Sequence, residues 1–303
     1  MATSGRTPDV DPEQARIRRL TGYGLALAAS LGLGLAVAVA RFAFEGGTDG
    51  QSVSMVRAWF VVALVGAWCL ATGRSLRVPG RVWWNCVGLG VLLAYMFFGN
   101  IGAVQFIPVG VAALLFFVYP PLVAVFTAVL DRRFPSPVKL LAFVIAFAGL
   151  AVMLGVGIQG LNPIGVAIGL GAGVACAVNV TWTGRVMGGT DSLVVMFHMA
   201  LVAAFVLSGL VLVTGGLTAP VTSLGWIGAA GVVILQGCSI PLYFASIPFI
   251  GVERSALINN LQPVASILFA WAVFAEALTP AQGIGGAMVL GGIVILQLFG
   301  KRA

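Results

Sequence analysis

The chain has 303 residues, of which 60% are hydrophobic and only 8% are charged, and its mean hydropathy is +1.09. A soluble domain is about one-quarter charged, so this composition excludes an ordinary soluble protein and indicates one that lies in a lipid bilayer. The formal net charge of +7 would suggest a nucleic-acid partner in a soluble protein. Here the basic residues lie in short gaps between apolar segments, where they orient the chain in the membrane, so we expect no nucleic acid.

The chain begins with a polar segment, residues 1–20, that we predict to be a disordered cytoplasmic tail. Ten apolar segments follow, near the length of about 20 residues that a spanning helix needs. They lie near residues 21–43, 55–73, 82–101, 106–130, 138–158, 163–186, 191–213, 225–248, 253–275 and 280–299. Three begin with a capping residue and a proline, as helices often do: Ser136-Pro137, Asn162-Pro163 and Thr279-Pro280. We predict an all-α polytopic membrane protein with ten transmembrane helices.

The basic residues divide unequally between the two sides of this topology. With the N-terminus in the cytoplasm, the cytoplasmic side collects every Lys and Arg except Arg41 and Arg57. The outer loop between the first two segments, EGGTDGQSVS, contains neither Lys nor Arg. The positive-inside rule predicts such an asymmetry, and one missed or extra helix in mid-chain would destroy it. Both termini are therefore predicted to be cytoplasmic.

Two stretches of the chain follow the same pattern 143 residues apart. FIPVGVAALLFFVYPPLVAVFTAVLDRRFPSP begins at residue 106, and FIGVERSALINNLQPVASILFAWAVFAEALTP begins at residue 249. Without gaps, Pro120 coincides with Pro263, and an acidic residue ends each apolar run. Each half then holds five helices, and an odd number makes the second half enter the membrane from the opposite side, as in many secondary transporters. We predict two inverted repeats, residues 21–158 and 159–303.

The ends of the two repeats carry a recognisable motif. The second reads LINNLQPVASILFAWAVFAEALTPAQGIGGAMVLGGIVIL and the first YPPLVAVFTAVLDRRFPSPVKLLAFVIAFAGLAVML: a proline, an acidic residue, then an apolar helix containing glycine. Together with Arg57 at the start of the second segment, this resembles the EamA-like ten-helix transporters of the drug/metabolite transporter superfamily. The first half departs from the pattern in having Asp131 where a glutamate is usual. The resemblance implies efflux of a small molecule across a bacterial cytoplasmic membrane.

The ninth predicted helix carries amide side chains and a proline in an otherwise apolar span. At about 100° per residue, one polar stripe contains Ser255, Asn259, Gln262 and Ser266. Asn260 lies about a quarter-turn away, and Pro263 frees a backbone carbonyl near Asn259. Because lipid offers no hydrogen bonds, we predict a kinked helix with its polar face turned inward. That face either repairs the kink or contacts the cargo, and the sequence favours neither.

The resemblance implies a cavity lined by the third, fourth, sixth, eighth and ninth helices, among others. The candidate lining residues are Asn259, Gln262, Asn260, Gln236, Ser239, Tyr243, Asn179, Trp182, Tyr95 and Tyr119. Each of them could equally serve helix packing. The hinge candidates are Pro120, Pro121 and Pro263.

The charged residues bear on the cargo and on energy coupling. No Lys, Arg, Asp or Glu lies in the middle of any predicted span. A phosphate site would need basic partners, so we expect a neutral or zwitterionic cargo such as an amino acid. His198 and Glu276 are candidates for coupling transport to protons. For His198 the sequence favours a buried polar residue with satisfied hydrogen bonds over proton coupling. For Glu276 it favours a contact at the end of the helix over proton coupling.

Other classes of membrane protein have less support in the sequence. A membrane enzyme needs a carboxylate cluster or a His-rich metal site, and the acidic residues are scattered beside a single histidine. We expect no enzyme, no metal and no cofactor. A flippase for a lipid-linked or amphipathic substrate and a non-transporting membrane subunit stay open. The glycines at Gly165, Gly169 and Gly173 favour close packing within a monomer over dimerisation.

Overall fold

The computed structural model describes residues 12–103, 106–107, 109–132, 136–155, 161–187, 189–274 and 278–299. The regular structure within these ranges is helical throughout. The helices are α1 (Pro12–Glu45), α2 (Gly50–Ala71), α3 (Gly80–Ala103), α4 (Val109–Phe116), α5 (Tyr119–Asp131), α6 (Pro137–Met153), α7 (Pro163–Val186), α8 (Ser192–Val213), α9 (Ser223–Ile250), α10 (Val252–Ile258), α11 (Leu261–Phe274) and α12 (Pro280–Phe299). The predicted all-α class is confirmed.

The lengths of these helices suit a multi-pass membrane protein. Among the described residues, seven helices are long and apolar enough to cross a bilayer, when Val111–Asp131, which contains most of α4 and all of α5, is counted as one. Two further apolar helices, Pro137–Met153 and Pro280–Leu296, are shorter. The count of ten spans and the cytoplasmic side of both termini stay predictions.

The helix ends follow from local sequence. Side-chain oxygens of Ser136, Asn162 and Thr279 each accept a backbone N–H two or three residues further on, at 3.3, 2.9 and 3.2 Å. These hydrogen bonds satisfy donors that a helix start leaves over, and the three predicted starts are confirmed. At the N-terminus, residues 12–20 lie in α1 and not in a disordered tail; the described helix therefore starts nine residues before the predicted first span.

The α-helical hydrogen bonding of two predicted helices is interrupted. The fourth divides into α4 and α5 at Phe117 and Val118, and the ninth into α10 and α11 at Asn259 and Asn260; we call these interruptions breaks. At the second break the N–H of Gln262 donates to the carbonyl of Asn259 at 3.0 Å. This short-range bond occupies a carbonyl that the proline at position 263 leaves without its helical donor. Asn259 keeps right-handed helical dihedral angles, so the interruption is a short turn at the position of the predicted kink.

The two halves pack on each other reciprocally. In the described residues α1 lies against α9 and α11, while α7, its counterpart in the other half, lies against α3, α4 and α5. Helices α2 and α8 pair across the halves, and so do α6 and α12. Exchanging the two halves reproduces this set of contacts, as two structurally equivalent units related by a two-fold axis require.

Small residues set the closest of these contacts. A Cβ added at Gly22 would lie 2.5 Å from Phe249 Cβ, and one added at Gly165 would lie 2.7 Å from Phe106 Cβ. Gly22 and Gly165 are 143 residues apart, and so are Phe106 and Phe249. The same close approach of two helices therefore occurs twice, once for each half. Only glycine permits helices to come this close. The space that remains between the two halves forms a central cavity.

Candidate functional site

A cavity of about 120 Å³ lies between the two halves. It is bounded by α1, α2, α3, the α4–α5 break, α7, α9 and the α10–α11 break. Most of its wall is aliphatic or aromatic. The side chains with polar atoms in the wall are those of Arg57, Tyr119, Cys176, Gln236, Tyr243, Asn259 and Gln262.

Arg57 is the charged residue of this wall. It lies seven residues into α2, about 10 Å along the helix axis, and its exposed fraction is 7%. Nη1 donates a hydrogen bond to Oε1 of Gln236, and the guanidinium carbon lies 3.8 Å from the centroid of the Phe97 ring. Nε has no hydrogen-bond partner, and no described carboxylate pairs with the side chain. The cavity therefore contains a cation without a counterion.

The sequence predicts no charge in the middle of a span, and it places Arg57 near the outer end of a segment that begins at residue 55. In the structure Asp49 caps α2, because its carboxylate accepts the backbone N–H of Ser52 at 2.6 Å, and the helix begins at Gly50. The earlier start places Arg57 about two turns inside the helix, which is deeper than expected. Asp49 itself, a favoured capping residue, was the sequence signal for this earlier start.

The amides at the α10–α11 break have separate roles. Nδ2 of Asn259 donates to the Tyr119 hydroxyl at 2.9 Å. Oδ1 lies 3.4 Å from the Ser30 hydroxyl, whose single proton has a shorter bond to a backbone carbonyl within α1 at 2.8 Å. Asn259 is thus held by the protein through the N–H end of its amide. Asn260 is buried outside the cavity wall, and its Oδ1 has no partner. Gln262 is half-buried in the wall, and its amide is available to a solute.

The three candidate residues of α9, Gln236, Ser239 and Tyr243, also differ in their positions. Gln236 holds Arg57, and Tyr243 lines the cavity with its hydroxyl beside that of Tyr119. Ser239 instead packs against α1, where a Cβ added at Gly32 would lie 2.1 Å from its Oγ. Of the three residues, two therefore face the cavity.

Three other candidates lie away from the cavity wall. Asn179 is buried between helices and donates to the Leu89 carbonyl of α3 at 2.7 Å. Trp182 donates its indole N–H to Asn85 at 2.8 Å and is 44% exposed. Tyr95 is 39% exposed. The structure places these side chains at helix contacts or on the surface of the bundle.

The hinge and coupling candidates are placed as follows. Pro120 and Pro121 open α5 directly after the first break, and Pro263 is the third residue of α11. His198 is buried in α8, where Nδ1 lies 2.8 Å from the carbonyl oxygen of Val194 and the ring meets two aromatic rings edge-on. These contacts are those expected if His198 is a buried polar residue whose hydrogen bonds are made within the protein. Glu276 lies outside the described residues.

Comparison with known proteins agrees with the fold and the repeat. The sequence matches the EamA-like transporter family over residues 20–155 and again over residues 163–298. An uncharacterized transporter of Archaeoglobus fulgidus is 26% identical over 250 residues, which cover 82% of this chain and 87% of that protein. A protein of known crystal structure superposes with a TM-score of 0.78 at 22% identity, covering 94% of this chain and 99% of the other; at that identity it shows the fold alone. The two family matches together span most of the chain, which therefore belongs to the EamA-like transporter family.

Proposed function

We propose that the chain is a secondary transporter that moves a small zwitterionic metabolite, such as an amino acid, through the central cavity by alternating access. Membership of a transporter family supports the general role. The observation that carries the proposal is the buried, unpaired guanidinium of Arg57 in the cavity wall.

Electrostatics favours a carboxylate on the cargo. A buried cation is costly unless it is paired, and a guanidinium offers several N–H donors in a geometry that suits a carboxylate. Gln236 occupies Nη1, which leaves Nε and other donors of Arg57 for a ligand. Of the neutral and zwitterionic cargoes predicted from the sequence, the zwitterionic ones are therefore favoured, because a cargo without a carboxylate would leave Arg57 without a counterion.

The rest of the wall suits a small ligand with an ammonium group. The Tyr243 hydroxyl and the Gln262 amide can accept hydrogen bonds, and the ring of Phe116 can face a cation. At about 120 Å³ the cavity holds the volume of about four water molecules. That size favours a small amino acid over a bulky drug or a lipid-linked substrate.

Export across a bacterial cytoplasmic membrane is part of the proposal. It rests on the family resemblance and on the basic residues, which the positive-inside rule assigns to the cytoplasm. The two helix breaks support alternating access, since broken helices at the junction of two repeats are where such transporters bind cargo and bend.

A counterflow measurement tests the proposed cargo class. Proteoliposomes would be loaded with a mixture of unlabelled small amino acids and given each labelled amino acid outside. We expect at least one to accumulate, and protein-free liposomes serve as the control. The amino-acid amide, which lacks the carboxylate, should fail to compete, and the N-acetylated form should compete weakly. Equal competition by the amide would contradict the role of Arg57, and the absence of counterflow for every amino acid would overturn the proposed cargo.

A further inference from the structure

A second and larger cavity lies at the end of the bundle that the charge distribution predicts to be cytoplasmic. Its volume is about 490 Å³, and it lies among the ends of α5, α7 and α9 and the start of α10. We call it the vestibule. Its polar side chains are Thr127, Asp131, Thr181 and Arg185.

The two threonine hydroxyls of the vestibule have no partner. Other helical hydroxyls in the chain donate to the carbonyl four residues earlier: those of Ser30, Thr72, Ser208 and Thr214 do so at 2.7–2.9 Å. Oγ1 of Thr127 and Oγ1 of Thr181 are buried and make no hydrogen bond in the described structure. The exposed fraction of Thr181 is only 4%. A buried hydroxyl without a partner is costly, so the inner wall of the vestibule contains two polar groups that the described residues leave unsatisfied.

Opposite charges stand side by side at the vestibule rim. Nη2 of Arg185 in α7 lies 2.5 Å from Oδ1 of Asp131 at the end of α5, and both side chains are exposed. Asp131 is the acidic residue that ends the apolar run of the first half, as Glu276 does in the second. The other three polar groups are not part of the repeat, because the residues 143 positions away from Thr127, Thr181 and Arg185 are Ala270, Ala38 and Phe42. Three polar residues therefore occupy positions that are apolar in the other half, which points to a role beyond packing.

An apolar groove adjoins the vestibule on the outside of the bundle. It has a volume of about 240 Å³, runs between α5 and α7, and shares Thr181 with the vestibule. Its other lining residues are Phe126, Val129, Leu130, Val178 and Trp182. Val178 lies seven residues before Arg185, so the groove extends about 10 Å from the charged rim towards the middle of the span.

We propose that the vestibule and the groove together bind one phospholipid with a zwitterionic headgroup that ends in a primary ammonium, as in phosphatidylethanolamine. The phosphate pairs with Arg185, the ammonium with Asp131, and an acyl chain lies along the groove. Adjacent opposite charges match a dipolar headgroup, whereas an anionic headgroup would leave Asp131 without a partner. An exposed ion pair contributes little to stability, so exchanging it for the headgroup costs little. This proposal does not depend on the cargo of the central cavity.

Trp182 provides a local reporter for the test. The protein would be reconstituted in phosphatidylcholine vesicles that contain equal fractions of dibrominated phosphatidylethanolamine, phosphatidylglycerol or phosphatidylcholine. Bromine quenches nearby indole fluorescence, and the difference between the wild type and Trp182→Phe isolates the signal of Trp182. We expect phosphatidylethanolamine to bind about fivefold more tightly than phosphatidylcholine, because its primary ammonium can donate one further hydrogen bond to Asp131. It should also bind more tightly than the anionic phosphatidylglycerol.

Variants separate the headgroup site from general contact with lipid. Asp131→Asn and Arg185→Gln should each remove the preference while keeping ordinary quenching by brominated phosphatidylcholine, which shows that the groove is folded. Arg74→Gln is the matched control, because Arg74 forms a similar exposed ion pair with Asp191 at the same end of the bundle; it should keep the preference. Equal quenching by all three lipids, or a stronger response to phosphatidylglycerol, would overturn the proposal. Loss of the preference on adding free alanine would overturn it too, by assigning the vestibule to a soluble amino acid.

Discussion

At the level of single residues, Arg57 organises the central cavity. Gln236 takes one of its N–H groups and Phe97 faces its guanidinium, so the side chain is held in place before any cargo arrives. Orientation in advance reduces the entropy that binding must overcome. A cation held in this way, without a counterion among the described residues, is arranged to meet an anionic group.

The two amides at the α10–α11 break are expected to respond differently to mutation. Asn259→Ala removes the donor to the buried Tyr119 hydroxyl, so it should lower the free energy of unfolding by about 1–3 kcal/mol. Gln262→Ala removes a side chain available to the cargo; it should leave unfolding unchanged and weaken cargo binding about threefold to tenfold, as the loss of one hydrogen bond does.

Thermal unfolding in detergent and counterflow in proteoliposomes check this pair of variants. Tyr119→Phe is a useful companion to Asn259→Ala, because the two substitutions remove opposite partners of one hydrogen bond and their effects should not add. A stable Asn259→Ala protein that has lost only cargo binding would reverse the roles given to the two amides.

The sequence could predict the polar stripe of the ninth helix but not how its members divide. Helical periodicity places Asn259 and Gln262 on one face, whichever residues lie opposite. Whether an amide contacts Tyr119 or faces the cavity depends on how the helices of the other half pack against it. A single sequence does not reveal that packing. The place of Arg57 in the cavity wall was missed for a simpler reason: the start of its helix was placed five residues too late.

At the level of helices, the two breaks lie at equivalent positions. Phe117 and Asn260 are 143 residues apart, and in each half proline follows the break within four residues. Proline removes a backbone donor and disfavours the helical conformation of the residue before it. The prolines could therefore be predicted to disturb both helices, whereas the residues at which the α-helical hydrogen bonding stops could not.

The glycine contacts between helices give a prediction with internal controls. Gly22→Ala and Gly165→Ala should each destabilise the fold by about 1–3 kcal/mol, because the added methyl group would overlap a phenylalanine Cβ on the facing helix. Gly24→Ala and Gly88→Ala are matched controls, since a Cβ there meets nothing within 4 Å.

Each control should raise stability slightly, by about 0.5–1 kcal/mol, because alanine favours a helix interior more than glycine does. Unfolding in a fixed detergent compares all four variants. Equal stability for the contact and control variants would contradict the close approach of the two halves.

The cap of α2 makes stability depend on pH. Burial raises the pKa of Asp49, but hydrogen bonds from Ser52 and Thr218 outweigh it, and the net pKa lies below the ordinary value of 3.8. Since the folded pKa is the lower one, the stabilisation is complete above the ordinary value and is lost as the pH falls through the lowered pKa.

Asp49→Asn keeps a good capping residue that does not titrate. The variant should therefore lose less stability than the wild type when the pH falls through the range below 3.8. Unfolding measured across that range is the check, and parallel curves for the two proteins would exclude a role for this carboxylate.

At the level of the whole molecule, the two ends of the bundle are joined by different chemistry. Among the described residues, three ion pairs join the halves at one end: Arg74–Asp191, Asp131–Arg185 and Lys139–Glu253. At the other end the halves meet through hydrogen bonds of the neutral residue Thr218 with Thr48, Asp49 and Ser52. The positive-inside rule assigns the end with the ion pairs to the cytoplasm.

Labelling with a membrane-impermeant thiol reagent tests this orientation. In whole cells Leu217→Cys, at the end with neutral contacts, should be labelled, and Ser75→Cys, at the end with the ion pairs, should not. In inside-out vesicles the pattern should reverse. The native cysteines are buried or half-buried, and the unmodified protein measures their background. Labelling of Ser75→Cys in intact cells would invert the proposed topology.

Much of the overall architecture could be predicted because its determinants are local or repeated. Apolar length locates the helices, basic residues orient them, and the 143-residue period reveals two halves before any contact is known. The extent of α1 was harder to predict, since its first turns, PEQARIRRL, are polar and carry no apolar signal. The cavity was harder still, because it consists of the gaps that remain once both halves have packed.

The most direct test of the account is counterflow of the transported amino acid by Arg57→Gln, with Arg77→Gln as the control for a lost positive charge at an exposed site. The account predicts that Arg57→Gln reduces apparent affinity about 10-fold to 100-fold, as loss of a charge-assisted hydrogen bond does. Arg57→Lys should recover part of the affinity, and Arg77→Gln should behave as the wild type. A folded Arg57→Gln protein that transports the amino acid with unchanged affinity would contradict the account.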